Sequence, residues 1–472
     1  MNTQNTNGSS YQRYDIFSNH VPDLVRWPSR FKVEIKKIGL LKLLLKEIIH
    51  YRGRKDVILS RPCMYGVFSG PVGGFSPRED LCVGCLRCTT EFPDFVTIRH
   101  NPERQRLGDS FFTFNYVDTL TYEAQTGMIP VKGAGYRGKF GGEGWDVMWT
   151  DMSEIVRPTR DGIHGREFIS TVVDIGYKPA YLTFDDDGAP TGEFPNTISL
   201  PLPILFDAVE CIDLSSKFWE ITSQTAAEIG SLAAIPIAAI RSKKLTGEHI
   251  IPVVSAEEIK VIDGLAFLPK IIEMDGWDEN FYKLLQTRFP ESLLALRTPF
   301  ASPEELLGYA ENGVRIFHLL ADFHGRGRDD MFVLDMIRAA HKTFVDAGIR
   351  EEITLLGSGG MIAAEHVPKA ILCGLDAVAV DTPALVALQV EFIGECSERA
   401  ANQFRLPKNL SVDWGVQRLT NLSASWRDQL LEILGAMGLR EVRRLRGEMG
   451  RAMFMLELEA EAFAEVEGYP HA

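Results

Sequence analysis

Two neighbouring stretches decide the fold class: Thr354-Leu-Leu-Gly-Ser-Gly-Gly-Met and Cys373-Gly-Leu-Asp-Ala-Val-Ala-Val-Asp-Thr-Pro-Ala. Each holds a short apolar run that does not alternate with polar residues, then a tight turn, then helix-forming sequence. Such a run reads as a strand buried on both faces. Working upstream, similar runs recur at Ile198–Phe206, Ile235–Ala239, Ile250–Val254, Pro269–Met274, Leu293–Arg297 and Arg315–Leu320. Helical stretches such as Lys217–Ala234, Asp330–Ala347 and Pro368–Leu372 lie between them. With Ile353–Leu356 and Ala377–Val380 the count reaches about eight strands, which fits an α/β fold of the (β/α)8 type better than an open sheet.

In such barrels the loops after the last two strands commonly grip a phosphate through free backbone N–H groups and a helix N-terminus. Gly357, Ser358, Gly359 and Gly360 in the first loop, and Asp381 and Thr382 in the second, are therefore the cofactor-binding candidates. The glycines suit this role because a Cβ would hold the anion away. One residue dissents: a carboxylate at Asp381 disfavours a phosphate unless it points away.

A second signal lies upstream, in Leu-Cys82-Val-Gly-Cys85-Leu-Arg-Cys88. Three thiolates at CxxCxxC spacing can take three corners of one iron–sulfur cube. Ferredoxins continue with x3-Cys-Pro, and here Phe92-Pro93 stands at that place. In two-cluster ferredoxins that last cysteine serves the other cluster, so one cluster is expected, [4Fe–4S] in preference to [3Fe–4S]. Cys63 is the candidate fourth ligand, across a loop rich in Gly and Pro that folds the chain back. Zinc is the competing reading, but its sites usually come as paired CxxC knuckles. Cys211, Cys373 and Cys396 are singletons and read as small buried hydrophobes. A cluster passes single electrons and flavin takes one or two, which makes FMN the best guess for the phosphate site.

The remaining features bound the protein. A formal charge of −14 over 472 residues argues against nucleic acid, whose binders carry basic footprints. No apolar run is long enough to span a bilayer, and the polar start lacks a signal-peptide core, so the expected location is cytoplasmic. Residues 1–55 read as a disordered tail and a basic amphipathic helix over about 31–52, expected to pack on its own domain or a partner subunit rather than a membrane. Residues 56–105 hold the ferredoxin-like cysteine segment. Residues 106–195 form a Gly-rich junction, 196–410 the barrel, and 411–472 a helical region.

The stretch from Tyr122 to Asp146, including Lys132-Gly-Ala-Gly-Tyr-Arg-Gly-Lys-Phe-Gly-Gly-Glu-Gly-Trp, resembles the archaeal-type, FMN-binding glutamate synthase large-subunit family. So do the Asp151–Glu167 run and Val416-Gln-Arg-Leu-Thr-Asn-Leu-Ser-Ala-Ser-Trp, with the cysteine triad and the Gly357–Gly360 loop in the same order. The resemblance covers about residues 60–455. It implies an FMN barrel, one or more clusters, and reductive formation of glutamate from 2-oxoglutarate and ammonia. The ammonia would come from a separate amidotransferase subunit, and a protein such as ferredoxin would donate electrons.

Several departures stand out. Only Cys396 remains where the family carries a cysteine cluster after the second phosphate loop. The family's substrate loop is replaced by Asp275-Gly-Trp-Asp-Glu-Asn, and its next-strand lysine by Arg297. Arg297 keeps positive charge but cannot act as an acid or base. With His324 and Arg326, in a loop suited to binding a carboxylate, it completes the catalytic candidates. The departures also support an alternative, a diverged paralogue serving electron transfer or a non-catalytic role in a larger complex.

Overall fold

The computed structural model describes residues 14–54, 57–58, 63–70, 73–130, 142, 144–151, 168–179, 181–192, 194–262 and 264–468. The expected tail at 1–13, the glycines Gly133, Gly135, Gly138 and Gly141, and the run from Met152 to Glu167 lie outside them. The chain divides into two compact units. One comprises Val25–Asp118 with Pro130; the other comprises 14–24, 119–129 and the described residues from Gly142 onward.

The larger unit is a closed barrel of eight parallel strands. They are β1 (Ile204–Phe206), β2 (Ala233–Pro236), β3 (Ile250–Val254), β4 (Ile271–Asp275), β5 (Leu293–Pro299), β6 (Ile316–Leu320), β7 (Thr354–Ser358) and β8 (Ala377–Val380). Each pairs in parallel with the next, and β8 closes on β1 through Val378↔Ile204 and Val380↔Phe206. A helix follows every strand: α1 (Phe218–Ile229), α2 (Ile237–Lys243), α3 (Ile259–Ile262), α4 (Glu279–Arg288), α5 (Pro303–Glu311), α6 (Val333–Asp346), α7 (His366–Leu372) and α8 (Thr382–Ala387).

Local chemistry explains the stops and starts. Ser302 opens α5 with a capping box to Glu305 and a proline in the first turn, and Asp278 caps α4 through the Phe281 N–H. Gly230 ends α1 in the left-handed conformation. Every described residue of β3, β7 and β8 is buried, which is why those strands read as unbroken apolar runs.

Three sequence expectations need correction. Ile198–Phe206 is not one strand: Asn196–Leu200 pairs antiparallel with Val173–Tyr177 outside the barrel, and only Ile204–Phe206 enters it. Pro201 and Pro203 separate the two, since neither can donate to a ladder. The run from Ile235 leaves strand geometry after Pro236, whose conformation leads into α2. The tail beyond 411 is not helical throughout. A long helix α9 (Val412–Ala436) packs on α1, but Ala452–Phe454 is a strand paired with Met148–Thr150.

The smaller unit carries an antiparallel pair, Phe31–Ile35 with Val96–His100, and the helix Lys37–His50. The basic segment is thus strand then helix; Phe31 and Val33 alternate inward at period two before the helical spacing begins. Its core gathers Phe31, Val33, Leu40, Val67, Phe68, Phe95 and Val96 around Cys82 and Cys88.

Candidate functional site

Two places carry chemistry, one in each unit. In the smaller unit Cys63, Cys82, Cys85 and Cys88 all line one small pocket, together with Val33, Tyr65, Val67, Phe68, Val83, Gly84 and Ile98. The backbone between the cysteines is tightly wound. Gly84 and Leu86 both take the left-handed conformation, and a Cβ on Gly84 would stand 2.3 Å from the Phe31 ring.

Burial raises the Cys88 thiol to about 11, helped by the charges of Cys63, Cys82 and Cys85. Cys82 is raised for the same reasons, burial first, against the Gly84 N–H that opposes the rise. Four thiols gathered around one pocket are a donor set suited to a cation. Among the described residues, no three of these sulfurs lie within 4.8 Å of one another. Tetrahedral zinc, with bonds of about 2.3 Å, would hold them about 3.8 Å apart. Four cysteine thiols around one pocket are the donor set an iron–sulfur cluster uses.

The second site is the C-terminal mouth of the barrel. Glu273 on β4, Arg297 on β5 and His318 on β6 come from three successive strands, and Asp207 follows β1. All four are buried. Arg297 donates to Asp207 Oδ1 at 2.5 Å, to Glu210 Oε1 at 2.6 Å and to the Ala208 carbonyl at 3.0 Å. Glu273 lies 3.6 Å from it and pairs with His318 Nδ1 at 2.9 Å.

Arg399, from the loop after α8, enters the same network. It donates to Asp207, to Glu210 at 3.1 Å and to Asp381 at 3.1 Å, and stacks over Phe323 at 4.9 Å. Burial alone would raise Asp207, but Arg297 and then Arg399 outweigh it and hold the carboxyl well below its usual range. Asp381 goes the other way: burial lifts it to about 6, with Arg399 only partly opposing.

The phosphate loops stand beside this network and are closed on themselves. Gly359 and Gly360 have positive φ, and a Cβ on either would strike backbone of the Ala321–Gly325 segment, at 2.5 Å from the Asp322 carbonyl and 2.4 Å from Gly325 Cα. The Gly360 N–H donates to the Phe323 carbonyl and the Ile362 N–H to His366 Nδ1. The Thr382 N–H donates to Asp381 Oδ1 at 2.6 Å, so the Asp381 side chain points into the loop. Trp145, from the end of the Gly-rich junction, stacks on His366 and donates to the Gly360 carbonyl at 2.8 Å.

The Ser358 and Thr382 hydroxyls are buried without a hydrogen-bond partner. They are the polar groups left over for a ligand at these loops. Around them the Gly360, Ile362 and Thr382 N–H groups are committed within the chain, and the Asp381 carboxyl faces Arg399 at 3.1 Å. Asp381 is the group that disfavours an anion at these loops, and the Ser358 and Thr382 hydroxyls are the ones that could receive it.

The catalytic candidates are not gathered in one place. Arg297 sits at the centre of the network. Arg326 is exposed and closes its own turn, donating to the Asp330 carbonyl and stacking on Phe332. The His324 backbone lies against Gly360, where the loop packs. Asp207, Glu210, Glu273, His318 and Arg399 were not singled out from the sequence. The position of Asp207, directly after an apolar strand, was the available signal.

A (β/α)8 barrel with a charged mouth, joined to a cysteine-lined unit, defines the class. Residues 333–440 match the model described as the conserved region in glutamate synthase. An archaeal-type glutamate synthase [NADPH] of Dehalococcoides mccartyi is 24% identical over 437 residues, covering 78% of this chain and 86% of that one. The archaeal glutamate synthase [NADPH] of Archaeoglobus fulgidus is also 24% identical, with the same coverage. Among solved structures, a mutant flavocytochrome b2 with pyruvate bound is 14% identical with a TM-score of 0.39, covering 69% of this chain and 79% of that one. The chain is thus similar to archaeal-type glutamate synthases over most of its length, with the family's conserved region at 333–440.

Proposed function

We propose that this chain is an oxidoreductase of the glutamate synthase type, with one iron–sulfur cluster held by Cys63, Cys82, Cys85 and Cys88. One observation carries it: four thiols converge on one cavity in a chain whose relatives are named glutamate synthases. When bound, the cluster supplies one-electron transfer. The reaction would condense ammonia with the 2-oxoglutarate carbonyl, releasing water, and add two electrons and two protons to the resulting imine to give glutamate. An amidotransferase subunit would supply the ammonia, and an electron-carrier protein such as ferredoxin the electrons.

FMN is the flavin that the family resemblance implies. In the loops meant to hold its phosphate, three N–H groups are committed within the chain and Asp381 adds a buried carboxyl beside them. No step is assigned to it on this geometry. The same observation favours a second reading, a paralogue that lends the cluster to electron transfer within a complex.

The test is a turnover assay on anaerobically purified protein with reduced ferredoxin, 2-oxoglutarate and ammonium, with flavin content measured alongside. Glutamate formed in proportion to donor oxidised supports the first reading. A reducible cluster with no flavin and no glutamate supports the second.

A further inference from the structure

We infer that the outer face of the helix Lys37–His50 is a docking surface for an acidic electron-carrier protein. This rests on the reading of the four cysteines as a cluster site, and names the surface through which that site would be served.

The helix is apolar on two sides. Leu40 is buried in the core that contains Cys82 and Cys88, and Leu43 and Leu44 pack against that core together with Cys63. Gly39 permits this approach, since a Cβ there would stand 2.7 Å from Phe95 Cβ. On the opposite side Ile38, Leu41, Leu45, Ile48 and Ile49 are exposed, Ile38 and Ile49 by 75% and 79%. Their 3–4–3 spacing makes one continuous stripe. A helix that is apolar on two faces is normally buried on both, yet among the described residues only one face is covered.

The rim of the stripe says what covers the other. Lys37 borders it on one side, and Lys42 and Lys46 on the other, all exposed. Lys36, Arg52 and Arg54 add positive charge at the helix ends. In a chain of net charge −14 this is a local inversion of sign. An apolar stripe inside a basic rim complements an apolar patch inside an acidic rim, and opposite rims steer encounter. A second copy of this chain would bring basic rim against basic rim. A carrier seated here is separated from the core around Cys82 and Cys88 by one helix diameter, about 10 Å. A bilayer surface would give no reason for the stripe to back onto that core.

The experiment uses the full-length, iron-loaded protein and a small acidic bacterial ferredoxin as probe. Affinity and the rate of cluster reduction are measured for wild type, Lys42→Glu/Lys46→Glu, Leu41→Ser/Leu45→Ser and, as a charge control on the barrel unit, Lys408→Glu. Both helix variants should bind at least about tenfold more weakly and be reduced correspondingly more slowly, with iron content unchanged. Lys408→Glu should match wild type. Equal affinity across all four proteins overturns the inference. So does binding of wild type, but not of the helix variants, to phosphatidylglycerol-containing vesicles in place of ferredoxin. Loss in the variants of a dimer seen by sedimentation would assign the face to self-association instead and also overturn it. Ferredoxin binding without any iron in the wild-type protein would sink the cluster reading while leaving the surface in place, so the two failures are distinguishable.

Discussion

Replacing Arg297 by Met probes the barrel mouth most severely. Arg297 is 1% exposed and is the counter-ion at which Asp207, Glu210 and Glu273 converge. Methionine nearly fills the volume but leaves Asp207 and Glu273, both fully buried, short of a cation. Breaking a buried ion pair by removing one partner costs about 3–5 kcal/mol. With a urea slope of about 3 kcal/mol/M the unfolding midpoint should fall by about 1–1.7 M.

The sign of the pH dependence follows from Asp207. In the wild type its folded pKa lies below the unfolded value, so its contribution is present above about pH 4 and lost only on stronger acidification. In the variant Arg399 still pairs with Asp207, but burial is opposed by one guanidinium in place of two, so the carboxyl moves up from its wild-type value. The loss should therefore be largest near pH 8 and shrink as pH falls and Asp207 protonates. Arg297→Met/Asp207→Asn should recover a substantial part of the deficit, because it removes both partners. Urea unfolding at pH 8 and pH 5 is the assay. A deficit under about 1 kcal/mol, or one identical at both pH values, would refute the reasoning.

Further outcomes follow from the same geometry. Asp381→Asn should raise FMN affinity about tenfold or more at pH 8, measured by flavin fluorescence quenching, because it removes the buried charge from the phosphate loop. Wild type should itself bind FMN more tightly at pH 5.5 than at pH 8, since Asp381 titrates at about 6 and is neutral below that value. Gly360→Ala should destabilise the barrel by about 1–3 kcal/mol in urea unfolding with or without flavin, because its Cβ would meet Gly325 backbone at positive φ. Cys88→Ser should lose visible iron absorbance while the barrel unit keeps its unfolding midpoint, as Cys88 belongs to the core of the other unit.

The barrel was legible because its strands are buried on both faces. Ile250–Val254 and Ala377–Val380 keep the same bounds in sequence and structure. The gathering of the cysteines was legible because three of them lie within seven residues. The junction between Asn196 and Phe206 misled because apolar content continues through two prolines that break the ladder. The barrel-mouth network was hidden for a different reason: its partners are remote in the chain. Arg399 and Asp207 are 192 positions apart, and Arg297 and Asp207 are 90 apart. Nothing in the local pattern around Arg399 marks it as buried. The segment around Cys396 was noted for the cysteines it lacks, and the structure shows that it sends an arginine into the barrel mouth instead.

The central claim is that four cysteines in the smaller unit hold an iron–sulfur cluster. Iron and acid-labile sulfide, counted together on anaerobically purified full-length protein, test it most directly. The account predicts about four of each per chain, falling together in the Cys88→Ser protein. One zinc per chain without sulfide, or a folded protein carrying no metal, would contradict it.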